Sequence, residues 1–290
     1  MTATYAGDGA ARTARDGVPA TAAVPQPDPL PAPALDSHCH LDLIERPVPE
    51  VLAEARRAGI RRLITVGVDV PSSRWSAQRA AEHEGLYAAV AVHPNETAAA
   101  ASSAAGRDAV LAELAALAGQ PRVRAVGETG LDYYRDYAEP PIQRDWFRAH
   151  IEIAKRTGKA LMIHDRDAHE DVLRILDEEG PPAAVVFHCF SGDAAMAKRC
   201  ADAGYVMSFA GNVTFKNAET LREAAAAAPL EALLVETDAP FLTPVPNRGK
   251  PNSPAQVAHT VRFLAGLKQV SVAEMCDAVT ANAERVFGPW

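Results

Sequence analysis

The stretch Ala34-Leu35-Asp36-Ser37-His38-Cys39-His40-Leu41-Asp42 places an apolar pair shortly before two histidines that stand two residues apart. In extended chain, side chains alternate with period two, so His38 and His40 project to the same side. A helix would send them to different faces. Read as the end of a β-strand, the segment brings two imidazoles close enough to hold one metal ion.

The same arrangement recurs along the chain. His93 follows the apolar run Leu86–Val92, Glu128 follows Val123–Gly127, His164 follows Ala160–Ile163, and His188 follows Ala183–Phe187. Asp238 comes just after Ala232–Val235. With Ala34–Ser37, Arg62–Val66 and Tyr205–Phe209, these runs make eight candidate strands. Helical patterns separate them: Val51–Ala58, Ser73–Glu84, Asp108–Leu117, Pro141–Arg156, His169–Glu179, Asp193–Ala203 and Asn217–Ala226. Two more, Pro254–Leu267 and Ser271–Val286, follow the last strand. Pro71 and the pair Pro140-Pro141 mark helix starts; Gly59, Gly85, Gly158, Gly180 and Gly204 mark helix ends.

Strands alternating with helices imply parallel strands joined by crossover helices. Eight such units predict an α/β fold, a closed (β/α)8 TIM barrel. A doubly wound open sheet is the competing architecture. Its dinucleotide-binding version has no support, since no Gly-x-Gly-x-x-Gly turn follows the first strand. Barrel enzymes carry their chemistry at the C-terminal ends of the strands. Five of the nine histidines fall there, with Glu128 and Asp238. The remaining four, His83, His150, His169 and His259, lie in helical patterns and read as surface or packing residues.

Composition sets the limits. The chain has 290 residues, 48% of them hydrophobic, enough for one large core. Its formal charge of −8 argues against a broad basic face that grips duplex by counterion release. A nucleic-acid substrate would be held by a few loop cations and by metal ions that neutralise phosphate. Four cysteines without Cys-x-x-Cys spacing read as reduced thiols of a cytoplasmic protein. Cys39 and Cys189 flank ligand candidates, but period two turns them away, toward core. No apolar run has membrane-spanning length, and no secretory signal opens the chain. Residues 1–33 are rich in Ala, Pro, Gly and Asp and read as a disordered tail; residues 34–290 read as the barrel.

Histidines and carboxylates without thiolates suit Zn²⁺, Mn²⁺ or Co²⁺, or Mg²⁺ where carboxylate and water dominate. Four histidines and two carboxylates exceed what one tetrahedral ion needs. Two divalent ions about 3.5–4 Å apart would use them all, a pair that lowers the pKa of a shared water and clamps both oxygens of a displacement. That is hydrolytic chemistry at a phosphoryl or acyl centre.

The ordered motifs Asp36-Ser-His-Cys-His-Leu-Asp42, Ala91-Val-His-Pro94, Gly127-Glu-Thr-Gly-Leu-Asp-Tyr-Tyr134, Ile163-His-Asp-Arg-Asp-Ala168, His188-Cys-Phe-Ser-Gly192, Glu236-Thr-Asp-Ala-Pro-Phe-Leu-Thr-Pro244 and Arg248-Gly-Lys-Pro-Asn-Ser253 resemble the TatD family of metal-dependent deoxyribonucleases, in the amidohydrolase superfamily. The resemblance covers about Leu35 to Phe287. Thr129 departs from a common Ile, and Asn95 from a common second His. The resemblance implies that His38, His40 and Asp238 hold one ion, that His164 and His188 hold a second, that Glu128 bridges them, and that His93 serves the phosphate side. Glu128 and Asp238 are then the catalytic carboxylates, with Asp238 as ligand or as acceptor of the water proton. Arg135, Arg166, Arg248 and Lys250 lie in loops at the expected mouth and are candidate phosphate contacts. Asp42 and Asp132 read as groups that order loops or orient ligands.

The implied activity is hydrolysis of DNA phosphodiesters, trimming single strands from a 3′ end, by a monomer that engages DNA and no membrane. Two other readings share the same residues. One is an amide or ester hydrolase such as a deacylase of D-aminoacyl-tRNA. The other is a metal-bound scaffold without turnover.

Overall fold

The structure, a computed structural model, describes residues 24–102 and 106–290. Eight strands run in sequence order: β1 (Ala34–Cys39), β2 (Ile60–Val66), β3 (Leu86–Val90), β4 (Val123–Asp132), β5 (Ala160–Arg166), β6 (Val185–Phe187), β7 (Val206–Phe209) and β8 (Leu233–Val235). They form one sheet in the order β1 to β8, each pair parallel. A doubly wound sheet reverses direction at a switch point, and this order has none. The circle closes just past β8. The Asp238 amide donates to the His38 carbonyl at 2.9 Å, and the His40 amide to the Ala239 carbonyl at 2.8 Å. The molecule is therefore a (β/α)8 barrel, sealed by the residues that carry three of the candidate ligands.

Ten helices are seen among the described residues: α1 (Val48–Arg57), α2 (Val70–Glu82), α3 (Thr97–Ala101), α4 (Gly106–Ala118), α5 (Pro140–Thr157), α6 (His169–Glu179), α7 (Ala194–Asp202), α8 (Glu219–Ala227), α9 (Val257–Lys268) and α10 (Val272–Phe287). Strands buried on both faces need continuous apolar runs, and β3 is buried at every position. The helices start where local chemistry satisfies their free amides. Asp69 and Ser72 make a reciprocal capping box at α2, as do Ser271 and Glu274 at α10. None of the helices is long and apolar enough to cross a membrane.

Two expectations change. Residues 24–33 are not a disordered tail. Pro27 and Leu30 are buried, and the Leu30 amide donates to the Ala58 carbonyl at 3.0 Å. Gln26 donates to the buried Glu54 at 3.0 Å, while Arg262 caps the Asp28 and Pro29 carbonyls at 2.7 and 3.1 Å. Composition missed this because a prolyl segment can satisfy its few amides and carbonyls from side chains of the barrel wall. Residues 1–23, the rest of the expected tail, lie outside the described residues. The strands β1, β4 and β5 also run further than expected, to Cys39, Asp132 and Arg166, so His38, Glu128 and His164 lie within strands and not after them. Pairing continues because Gly130 and His164 remain in register.

Candidate metal centre

Period two explains how the deepest layer of the site is built. Asp36, His38 and His40 point into the barrel from the end of β1. Asp36 is fully buried and accepts from the His38 amide at 3.2 Å and the Thr237 amide at 2.9 Å, with the Thr237 hydroxyl at 2.5 Å. It ties the end of β1 to the segment after β8, which sets Asp238 beside the two histidines. Two glycines let the strands approach. A Cβ on Gly127 would lie 2.5 Å from Met162 Cβ and 2.6 Å from the Met162 carbonyl oxygen. One on Gly130, whose φ is +139°, would fall onto the His164 carbonyl.

The candidate donors converge. Three overlapping sets place all their ligand atoms within 4.8 Å: His38, His40 and Asp238; His38, Glu128 and His188; His93, Glu128 and His164. Glu128 stands at the centre. Its Oε1 lies 2.6 Å from His164 Nδ1, 2.8 Å from His188 Nε2 and 3.3 Å from His93 Nε2. Its Oε2 lies 3.6 and 3.7 Å from the Nε2 atoms of His38 and His40. Asp238 Oδ1 reaches His40 Nε2 at 3.4 Å and keeps 16% of its side chain exposed. The structure thus gathers every residue expected to hold a metal.

The partners of the far ring nitrogens sort the histidines. A backbone carbonyl only accepts, so the Val66 carbonyl 3.2 Å from His40 Nδ1 fixes the proton there and frees Nε2. His38 Nδ1 faces the Met162 sulfur at 3.2 Å, and His188 Nδ1 faces Glu236 at 3.2 Å, with the same result. His164 is reversed: Nε2 lies 3.4 Å from Asp132, leaving Nδ1 to the site. In its neutral form each of these four offers a lone pair. His93 does not. The Asn95 amide donates to His93 Nδ1 at 3.1 Å, so the neutral ring carries its proton on Nε2 and presents an N–H inward.

Charge follows geometry. Burial alone would raise the Glu128 pKa, but the neighbouring His188 and His93 and hydrogen bonds from His164 and His188 hold it well below the usual carboxylate range. Asp238 is likewise lowered, its burial outweighed by the hydrogen bond with His40 and the charges of His38, His40 and His188. Burial opposes protonation of His188, yet Glu128 and Glu236 drive its pKa well up. Buried carboxylates that stay ionised demand positive charge within the cluster. Divalent ions bound by these lone pairs would supply it, so the donor set fits the metals the sequence implies.

The surrounding residues fall into place unevenly. Asp132 does both things expected of it: Oδ1 accepts from the Tyr134 and Arg135 amides at 3.0 Å, and Oδ2 accepts from Asn95 at 3.1 Å. Asp42 sits exposed in the 3-10 turn Leu41–Leu43. Cys39 is buried core, whereas Cys189 is only partly buried, with Asn212 Nδ2 3.9 Å from its sulfur. Arg166 lies over the Tyr134 ring at 3.9 Å and Arg248 over Phe215 at 4.1 Å. Arg135 contacts the Tyr137 hydroxyl at 3.3 Å, and the Lys250 ammonium contacts Asn247 Oδ1 at 3.4 Å. Reading by residue type missed Asp36 and Glu236 as builders of the site. The signal was there: each stands two residues before a ligand candidate, on the same side of its chain.

A parallel eight-stranded barrel with a histidine–carboxylate cluster at its C-terminal mouth has the architecture of a metal-dependent hydrolase. Comparison with known proteins makes the family particular: the chain belongs to the TatD-related DNase family, whose model matches residues 35–288. It is 46% identical over 263 residues to an uncharacterized metal-dependent hydrolase TatD of Mycobacterium tuberculosis, covering 88% of this chain and 97% of that one. It is 38% identical to the uncharacterized metal-dependent hydrolase YabD of Bacillus subtilis, covering 87% and 98%. Among solved structures, the TatD homologue YJJV of Escherichia coli superposes with a TM-score of 0.81 at 28% identity, over 89% of this chain and 98% of that one.

Proposed function

We propose that this chain hydrolyses phosphodiester bonds of DNA, trimming single strands from a 3′ end with two divalent ions. The observation that carries the reading is the overlap of the donor sets. The sets meet at Glu128, whose Oε2 faces His38 and His40 and whose Oε1 faces His164 and His188, as a carboxylate shared by two adjacent cation positions would. His38, His40 and Asp238 would hold one ion, His164 and His188 the other, and Glu128 both. When bound, such ions lower the pKa of a water and neutralise phosphate charge.

The protein's own groups do the rest. Asp238 is the more solvent-open of the two carboxylates, and is placed to accept the proton of the attacking water. His93 offers Nε2–H, a donor suited to a phosphate oxygen. Arg135, Arg166, Arg248 and Lys250 ring the mouth and make no ion pair with a described carboxylate, so they are available to phosphates. Glu236 and Asp132 hold His188 and His164 in the orientation that offers a lone pair.

The test is digestion of end-labelled single- and double-stranded DNA by metal-reconstituted protein, with Glu128→Gln as control. That variant keeps the size of the side chain and removes the charge between the cations. Turnover is expected to fall on the order of 10²-fold or more, with metal content reduced. Release of amino acid from D-aminoacyl-tRNA with no nucleotide release would move the activity to deacylation. Near-native nuclease activity of Glu128→Gln with two ions bound would overturn the two-metal reading.

A further inference from the structure

Three large hydrophobic residues are left exposed among the described residues: Tyr134 at 63%, Tyr137 at 46% and Val245 at 45%. All three lie in loops at the C-terminal mouth, Tyr134 and Tyr137 between β4 and α5, and Val245 after β8.

Tyr134 is held there. Its amide donates to Asp132 Oδ1 at 3.0 Å, and Asp132 Oδ2 lies 3.4 Å from His164 Nε2. The Tyr134 backbone is therefore anchored through one carboxylate to a candidate metal ligand. The Arg166 guanidinium, at the end of β5, lies 3.9 Å from the ring centroid. It covers one face, while the exposure of the side chain leaves the ring open to solvent on its other side. A tyrosine fixed by a stacked guanidinium, with a free face beside a phosphate site, has the chemistry that receives an unpaired base. Base stacking also suits a chain of charge −8, which cannot rely on a broad cationic surface.

We infer that Tyr134, backed by Arg166, is a stacking platform for the base of a nucleotide next to the scissile phosphate. The inference rests on the nuclease reading above and makes Tyr134 a binding residue for single strands. Duplex DNA keeps its bases stacked within the helix and gains nothing from the platform.

The test is equilibrium binding of short phosphorothioate oligothymidylates, which resist cleavage, followed by fluorescence anisotropy. A single abasic site is moved along the strand. Wild-type protein is expected to lose about 10-fold in affinity when the abasic site occupies one position, a value inside the range for one stacked base. Tyr134→Ala should lose about 10-fold on the intact strand and nothing further on that abasic strand. Tyr134→Phe should bind like wild type. A flat abasic scan of the wild-type protein would overturn the platform, with no variant involved. Equal weakening of Tyr134→Ala at every abasic position would also overturn it, since that pattern belongs to a distorted loop. Because binding is read without cleavage, the two readings fail separately. A position-specific scan with no cleavage of ordinary DNA under any metal leaves the platform standing and removes the nuclease. Intact cleavage with a flat scan does the reverse.

Discussion

His150 links the two strands that carry His93 and Glu128, and acid should expose that link. It lies fully buried on α5. The Val92 amide donates to its Nε2 at 3.2 Å, so the proton sits on Nδ1, which faces the Thr129 hydroxyl at 2.9 Å. Val92 precedes His93, and Thr129 follows Glu128. Burial pushes the imidazole pKa down to about 3, helped by the charge of Arg107 against an opposing hydrogen bond to the Trp146 backbone. The unfolded chain titrates near 6.5. Between those values the unfolded state binds more protons, so stability is complete above pH 6.5 and is lost on going down toward pH 3. At pH 5 the loss from this one group is RT ln(1 + 10^1.5), about 2 kcal/mol. The assay is urea denaturation of metal-free protein at pH 7.5 and pH 5, for wild type and His150→Gln. Glutamine can still accept from the Val92 amide but cannot titrate. The variant is less stable at pH 7.5, yet its further loss at pH 5 should be smaller than that of wild type by about 2 kcal/mol. Parallel losses in the two proteins would show that His150 is not held neutral, and the reasoning would be wrong.

Other perturbations test other links. Leu30→Ala should cost about 2 kcal/mol, the low end for a buried leucine, and lower Tm by roughly 4–8 °C; a calorimetric trace identical to wild type would return residues 24–33 to the status of a loose tail. Gly130→Ala sets a methyl against the His164 carbonyl at a φ disfavoured for alanine, so a loss of about 2 kcal/mol or more and reduced metal content are expected from melting and elemental analysis. Glu236→Ala removes the acceptor of His188 Nδ1, and metal affinity by competition titration should fall about 10–100-fold; unchanged affinity would show that the histidine needs no orienting partner.

The sequence carried the barrel because the signals were redundant. Eight apolar runs, each followed by a helical pattern, permit few parallel topologies, and the observed sheet order chooses the barrel from among them. The ligand candidates were legible for a related reason. Imidazole and carboxylate are ready ligands for hard or intermediate cations, and such residues at strand ends stand out against apolar neighbours. Strand lengths were less visible. Thr129, Gly130 and Asp132 weaken a strand pattern, yet β4 runs through them, because backbone pairing to β5 persists where side chains do not advertise it. Packing of residues 24–33 was hidden because its donors and acceptors, Gln26, Glu54, Arg262 and several prolyl carbonyls, are scattered along the chain.

Residue type alone could not say which histidines would offer a cation a lone pair and which would offer an anion a donor. The distinction rests on what stands behind each ring. Val66, Met162 and Glu236 accept from Nδ1 of His40, His38 and His188, and Asp132 faces Nε2 of His164; all four rings, when neutral, then turn a lone pair inward. At His93 the backbone amide of Asn95 reverses the arrangement and turns an N–H inward. An acceptor behind the ring favours a ligand, and an amide donor behind it favours a donor to anions. The same side chain, differently backed, would therefore serve the proposed function both as cation ligand and as donor to phosphate. The departure at Asn95 leaves this intact, because its backbone, not its side chain, sets the His93 proton.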